Sequence, residues 1–432
     1  MFFYIGLCLN IIGAVYVTYR TLKTNNIVSP QMIVFFGICV YLYLPAVFLK
    51  SENIGDDNYN LVLLVGVIGA LIACNLFPYN IVKSHTYECR QPIIKYFQIA
   101  SFLYVSILIF QILQVIMNTG GVFNAFRINR LDAFLNGDMI SESSIMEVFK
   151  EGLKILFYFY FAYLVENGKK IKAILMFSVP MIHHRFTAVT RFDFIAMGAF
   201  LVVFFINRRL TDKNKAEKGK KQGISFVKLF VFGFVGLYVA VLFMRISNFT
   251  RYGESANGLN VSFVSLLKNT LLNDSLYYEF FHTLYEAVQN GKANYELGLS
   301  WFVYPLVNIV PRFLWPGKPY TAFSARMTDK LYWSLTSGNP VVTFSIFGEG
   351  YVQLGILGVF LCSYLFLGSR WINFRMLKQI KYNEMYMLIL LFSLVTYMRS
   401  EAPIFYMLID ALWLWGIKTV FTRRYKADSL SK

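Results

Sequence analysis

The chain has 432 residues, 57% of them hydrophobic and 15% charged, with a mean hydropathy of +0.51 and a formal net charge of +17. That balance excludes an ordinary soluble globular protein. An all-α polytopic membrane protein is the expected fold class, one integral membrane domain over 1–432. A helix needs about 20 mainly apolar residues to cross a bilayer. Such runs predict about eleven transmembrane helices, at 2–19, 29–49, 60–77, 96–117, 152–165, 171–183, 192–207, 224–244, 341–366, 383–398 and 403–421. The first lacks a basic leader and a small-residue cleavage site, so it reads as a span and not as a signal peptide.

Charge orients the spans. Alternate connections carry Arg20 and Lys23; Lys83, Arg90 and Lys95; Lys169, Lys170 and Lys172; the run "NRRLTDKNKAEKGKKQG" at 207–223; and Arg370, Arg375, Lys378 and Lys381. The positive-inside rule assigns all of them, with the C-terminal "TRRYK", to the cytoplasm, leaving the N-terminus outside. The basic excess is then topological. The 207–223 run reads as a solvated basic cytoplasmic loop and not as a nucleic-acid site. Cys8, Cys39, Cys74, Cys89 and Cys362 fall in spans or in a cytoplasmic loop, so no disulfide or zinc site is expected. The chain has no GxxxxGK[ST] or GxGxxG motif, which speaks against chemistry driven by cytoplasmic nucleotides.

The long connections lie outside, at about 118–150 and 245–340. The second is too long to lack structure of its own, and short helices are expected within it. Its stretch "NVSFVSLLKNTLLNDSLYYEFFHTLYEAVQ" (260–289) has the amphipathic spacing of helices lying over a bundle. The stretch "ELGLSWFVYPLVNIV" (296–310), with Pro305 inside it, is too short to span and suits a re-entrant or interfacial hairpin. Then comes "PRFLWPGKP" (311–319), just after that hairpin at the outer membrane boundary, with Trp301 and Trp315 as interfacial anchors. Three prolines stiffen it and hold Arg312 and Lys318 on an ordered strip. A guanidinium there matches phosphate oxygens in a bidentate fork and an ammonium adds a point charge; contact with lipid headgroups is the alternative.

From "PRFLWPGKP" to "GEGYVQLGILG" (348–358) the chain resembles the bacterial oligosaccharide repeat-unit polymerases of the Wzy, or O-antigen polymerase, type. The matching positions are Pro311, Arg312, Lys318, Pro319, Gly348 and Glu349. The resemblance implies a glycosyltransferase in the bacterial cytoplasmic membrane. On its outer face such an enzyme transfers a growing glycan from undecaprenyl diphosphate to the next lipid-linked repeat unit, without a cofactor. A chain-length regulator is the partner it implies, beside the membrane lipids. An O-antigen ligase-like transferase and a lipid-oligosaccharide flippase or other transporter are the alternatives.

That chemistry asks for fixed cations at a departing diphosphate and a carboxylate near an incoming hydroxyl. Glu349, between Gly348 and Gly350 near the outer end of the ninth span, is the expected catalytic carboxylate, with a salt bridge to an outer arginine as the alternative role. Arg312, Lys318, Arg185, Arg191, Arg245 and Arg399 are the candidate diphosphate-binding cations, all placed at outer ends of spans or in the large loop. Arg185 and Arg191 also have headgroups or Asp193 as partners, and Arg399 has Glu401. Tyr320, Trp333 and Tyr351 are candidates to stack on sugar rings. The adjacent His183 and His184 make a poor metal pair, no DxD motif is present, and no metal is expected. Asp410, inside the last span, reads as a structural partner within the bundle.

Overall fold

The computed structural model describes residues 1–23, 29–78, 90–123, 144–187, 201, 204–205, 276–310, 314–315, 317, 319, 323–332, 342–390 and 403–423. It is mostly helical. Five helical segments among these residues are long and apolar enough to cross a membrane: Phe2–Thr21, Pro30–Leu49, Asp57–Leu76, Ile94–Asn118 and Ser345–Leu377. They correspond to the first four and the ninth of the spans expected from the sequence. Those expected at 192–207 and 224–244 lie largely or wholly outside the described residues, while of the one expected at 383–398 residues 383–390 are described, 384–390 of them helical.

Helix α1 is Phe2–Lys23. Helix α2, Pro30–Ile38, opens on a Ser29 cap whose Oγ accepts the Met32 N–H, with Pro30 in the first helical position, where its missing N–H costs nothing. It continues through a π turn, Cys39–Tyr43, into α3, Leu44–Leu49. Pro45 cannot donate to the carbonyl four residues back, and the wider turn, closed by Leu44 N–H on Cys39 O, accommodates its ring. Helix α4, Asp57–Leu76, starts on Asp56, whose Oδ1 accepts from Asn58 N and Tyr59 N at 3.0 and 3.1 Å.

Next come α5, Ile94–Asn118, α6, Ser144–Glu166, and α7, Lys170–Thr187. The sequence placed a short span at 152–165, because charges precede it. The helix begins at Ser144 instead, and the charges inside it are accommodated as an i,i+3 pair, Lys154 Nζ to Glu151 Oε1 at 3.0 Å. Between α6 and α7 Gly168 turns the chain at φ +76, and the N–H groups of Gly168 and Lys169 close back on Val165 and Leu164.

Within the large loop lie α8, Tyr277–Gln289, a π turn at Leu299–Val303 running into α9, Tyr304–Ile309, and α10, Phe323–Leu331. Helix α11, Ser345–Leu377, is followed by a helical stretch at 384–390 and then by α12, Pro403–Val420. Helices α4 and α11 pack closely: a Cβ on Gly66 would meet Phe347 and Val359 at 2.8 and 2.9 Å, and one on Gly69 would meet the Phe360 carbonyl at 2.5 Å.

The bundle has two ends with different chemistry. At one end Met1 pairs with Asp57, and α8 and the 3-10 turn Glu52–Gly55 gather. At the other, short strands Gln91–Pro92 and Thr422–Arg423 pair antiparallel, Arg90 N–H donates to Gln379 O at 2.9 Å, and Lys381 reaches Glu166 at 3.4 Å. Connections far apart in sequence, which the charge pattern assigned to one side, therefore meet at one end. Arg370 departs from that pattern. The sequence ended the ninth span at 366 and counted Arg370 among the connection cations, but α11 runs on to Leu377 and Arg370 is fully buried in it.

Candidate functional site

Helix α11 is not one straight rod. Leu354 (φ −144, ψ 24) and Gly355 (φ 62, ψ −143) leave the helical region, the second in a conformation open to glycine and strained for other residues. In a straight helix residues eight apart are about 12 Å apart. Here a Cβ on Gly358 would lie 1.8 Å from the Gly350 carbonyl oxygen, and one on Gly350 would lie 2.7 Å from that of Gly358. The chain therefore folds back on itself as a hairpin. A first arm, 345–353, packs on a second arm, 356–377, and the two backbones touch where both residues are glycine. The sequence placed residues 341–366 in a single span, because a run of apolar residues looks alike in a straight helix and in a re-entrant pair.

The hairpin sets the position of Glu349. It lies on the first arm, 3% exposed. The residues around it fix its depth. Phe347 is packed at the level of Gly66, and Tyr351 shares neighbours Phe281 and Tyr285 with Tyr59. Glu349 lies between these levels, roughly 10 Å inside the Asp57 end of α4. An ionisable side chain at such a place is costly unless it faces a partner or a site.

Helix α8 covers this arm. Phe281 and Leu284 lie directly over Gly348. A polar seam holds α8 down: His282 Nε2 is 3.1 Å from Asp56 Oδ2, Asn53 Nδ2 donates to Glu279 at 2.5 Å, Tyr59 OH donates to Tyr278 O at 2.7 Å, and Tyr278 OH donates to Asn60 Oδ1 at 3.0 Å. Asn60 is wholly buried, and its amide also donates to the carbonyls of Asn53, Ile54 and Asp56. Burial pushes the Tyr278 phenol well up, so it stays a protonated donor.

A second fastening reaches the same arm from the loop. Arg326 on α10 donates through Nη2 to both oxygens of Glu296, at 2.9 and 2.8 Å, and lies 4.1 Å from the centre of the Tyr304 ring. Glu296 also accepts from Ser300 Oγ at 2.6 Å and from Gln353 Nε2 at 2.8 Å, while the Gln353 oxygen accepts the Ser300 N–H. Gln353 is fully buried and follows Glu349 by four residues on the first arm, so the two share a helix face. Glu296, Arg326 and Gln353 were not among the sequence candidates. Arg326 stands in "TAFSARMTDK", within the motif region, but without the flanking prolines that mark Arg312 and Lys318.

Of the sequence candidates, Glu349 and Tyr351 have described side chains. Tyr351 is 2% exposed, accepts a hydrogen bond from Gln289 at 2.6 Å, and is enclosed by Phe281, Tyr285 and Tyr295. Its faces are occupied by protein, so it packs the arm and is not offered to a sugar ring. Arg185 lies in the last turn of α7. Arg312, Lys318, Tyr320, Trp333, Arg191, Arg245 and Arg399 lie outside the described residues. His183 is buried with Nε2 2.5 Å from Gln111 Oε1, a helix-to-helix contact between α7 and α5, and among the described residues no group of three or more His, Cys, Asp or Glu could hold a metal ion.

A separate polar cluster sits deep in the bundle. Arg370 Nη1 donates to Asp410 Oδ2 at 2.7 Å, and Tyr386 OH donates to Asp410 Oδ1 at 3.0 Å. This agrees with the structural role expected for Asp410. Trp413, one turn on, donates to Val148 O and packs against Gly152, which ties α12 to α6 beside the Glu151–Lys154 pair. With this geometry in view, no family model, no curated protein and no solved structure matches the chain.

Proposed function

We propose that the chain is a membrane glycosyltransferase that polymerises lipid-linked oligosaccharide repeat units, with Glu349 as the base. The observation that carries this reading is a carboxylate 3% exposed on the first arm of a glycine-broken hairpin, under a loop that bears "PRFLWPGKP". On this reading the chain crosses the bacterial cytoplasmic membrane about eleven times, N-terminus outside, and the α8 end of the bundle faces out. The acceptor hydroxyl oxygen attacks the anomeric carbon of the donor glycan. Its proton passes to Glu349, the bond from that carbon to the diphosphate oxygen breaks, and undecaprenyl diphosphate leaves with the electron pair. Arg312 and Lys318 are the cations assigned to the leaving diphosphate, with Arg185, Arg191, Arg245 and Arg399 as further candidates. A single displacement inverts the anomeric centre. Because α8 lies over the arm, substrate entry requires α8 to part from it.

The test uses purified full-length protein in nanodiscs, with undecaprenyl-diphosphate-linked repeat units as the sole substrate, and reads both glycan ladders and thermal melting. Wild type should give a ladder. Glu349→Gln should give none at an unchanged melting temperature, and Arg312→Ala should behave likewise, with Arg312→Lys recovering only part because a fork becomes a point charge. A full ladder from Glu349→Gln would remove Glu349 from the chemistry. No ladder from wild type, with transfer to a lipid A-type acceptor instead, would favour the ligase-like alternative.

A further inference from the structure

At the strand-bearing end of the bundle, α5 and α7 border an open surface groove, lined by Val105 on one side and by Lys169, Lys170, Lys172, Leu175, Met176 and Val179 on the other. We propose that this groove binds one anionic glycerophospholipid of the adjacent leaflet, its phosphate at the three lysines and an acyl chain along the apolar floor. The proposal is independent of the glycosyltransferase reading; it requires only that α5 cross the membrane and that α7 enter the adjacent leaflet beside it from its lysine-bearing end.

The dimensions fit that occupant. From Lys170 to Val179 the helical rise is about 14 Å, and from Ile94 to Val105 on α5 it is about 16 Å. Half of a bilayer core is about 15 Å. The groove therefore runs from headgroup level to the midplane, the reach of one acyl chain.

The charge fits as well. Lys169, Lys170 and Lys172 are exposed, and among the described residues none of them makes an ion pair. The nearest acid in sequence, Glu166, is engaged by Lys381 at 3.4 Å. The three ammonium groups sit at the start of α7, where the helix dipole also favours an anion. Below them Ile171 and Leu175 are 78% and 64% exposed, so the apolar surface continues directly from the cationic mouth. A soluble anion gains nothing from that floor, and an apolar peptide gains nothing from those lysines. A lipid with a negative headgroup uses both.

The experiment is native mass spectrometry of the full chain released from mixed micelles, titrated with phosphatidylglycerol or with phosphatidylcholine of the same chains. Wild type should retain one phosphatidylglycerol at concentrations where phosphatidylcholine is not retained. Each lysine near an anionic headgroup accounts for about a fivefold factor, so Lys169→Gln, Lys170→Gln and Lys172→Gln together should weaken retention roughly a hundredfold. Val179→Trp, which fills the floor and keeps every charge, should lose the lipid too. Equal retention of the two lipids would overturn the proposal. Loss in the triple variant but full retention in Val179→Trp would reduce the effect to surface charge and overturn the groove. Displacement of the lipid by inorganic phosphate at equal concentration, or a lipid-free dimer in place of the bound lipid, would assign the groove to a soluble anion or to a second copy and would equally defeat it.

Discussion

Replacing Gly358 by alanine separates the hairpin from a straight ninth span. In a straight helix the change removes glycine's entropic penalty and stabilises by up to about 1 kcal/mol. In the hairpin the added Cβ falls 1.8 Å from the Gly350 carbonyl oxygen, and the obstacle is backbone, which no rotamer change can move. The arms would have to part by about 1.6 Å to restore an ordinary 3.4 Å contact. Such overpacking costs typically 1–3 kcal/mol, and the separation also strips dispersion contacts from the α4 interface at Phe347 and Val359. A net destabilisation of about 1–3 kcal/mol is expected once the helical gain is offset. The assay is thermal unfolding of purified protein, with Gly416→Ala as the control, since a Cβ at Gly416 meets nothing within 4 Å and sits within α12. Gly416→Ala should be neutral or mildly stabilising. If Gly358→Ala melts with Gly416→Ala, the two arms do not cross as described, and Glu349 is not where the hairpin puts it.

Asp410→Ala leaves the fully buried Arg370 without its carboxylate and should destabilise by about 3–5 kcal/mol, while the double replacement Arg370→Leu with Asp410→Leu should recover much of that loss; a thermal-melt double-mutant cycle checks both. Glu296→Gln weakens an ion pair whose side chains are 14% and 12% exposed, so its cost should fall between surface and buried pairs, at about 1–3 kcal/mol. Its effect should be local: faster hydrogen exchange in the loop elements 296–303 and 323–331, with α4 and α5 unchanged. Uniformly faster exchange across the bundle would show that this clasp holds more than the loop.

How far such a chain can be read from its residues depends on which physical signal each feature leaves in the sequence. Hydropathy integrates over about twenty residues, and it located α1, α2 to α3, α4 and α5 within a few residues. Charge alternation is likewise a property of long stretches, and it assigned Arg90, Lys381 and Arg423 to one side, where the structure brings their connections together at one end of the bundle. The hairpin in α11 leaves a weaker mark, because its only local requirement is a glycine at 355 and two more where the arms touch, and glycine-rich spans are common. Mistaking it for a rod moved Glu349 from a folded-back arm to the mouth of a span, and stopping the span at 366 turned a buried Arg370 into a surface cation. The second error has a cause of its own: an ion pair between residues forty apart, Arg370 and Asp410, removes the cost by which a charge normally ends a hydrophobic run. The Glu296, Arg326 and Gln353 clasp escaped for the same reason, since its members come from three elements and none is unusual alone. In a bundle of this kind a charge inside or beside an apolar stretch is thus better treated as half of a pair whose other half must be sought elsewhere in the chain than as a boundary.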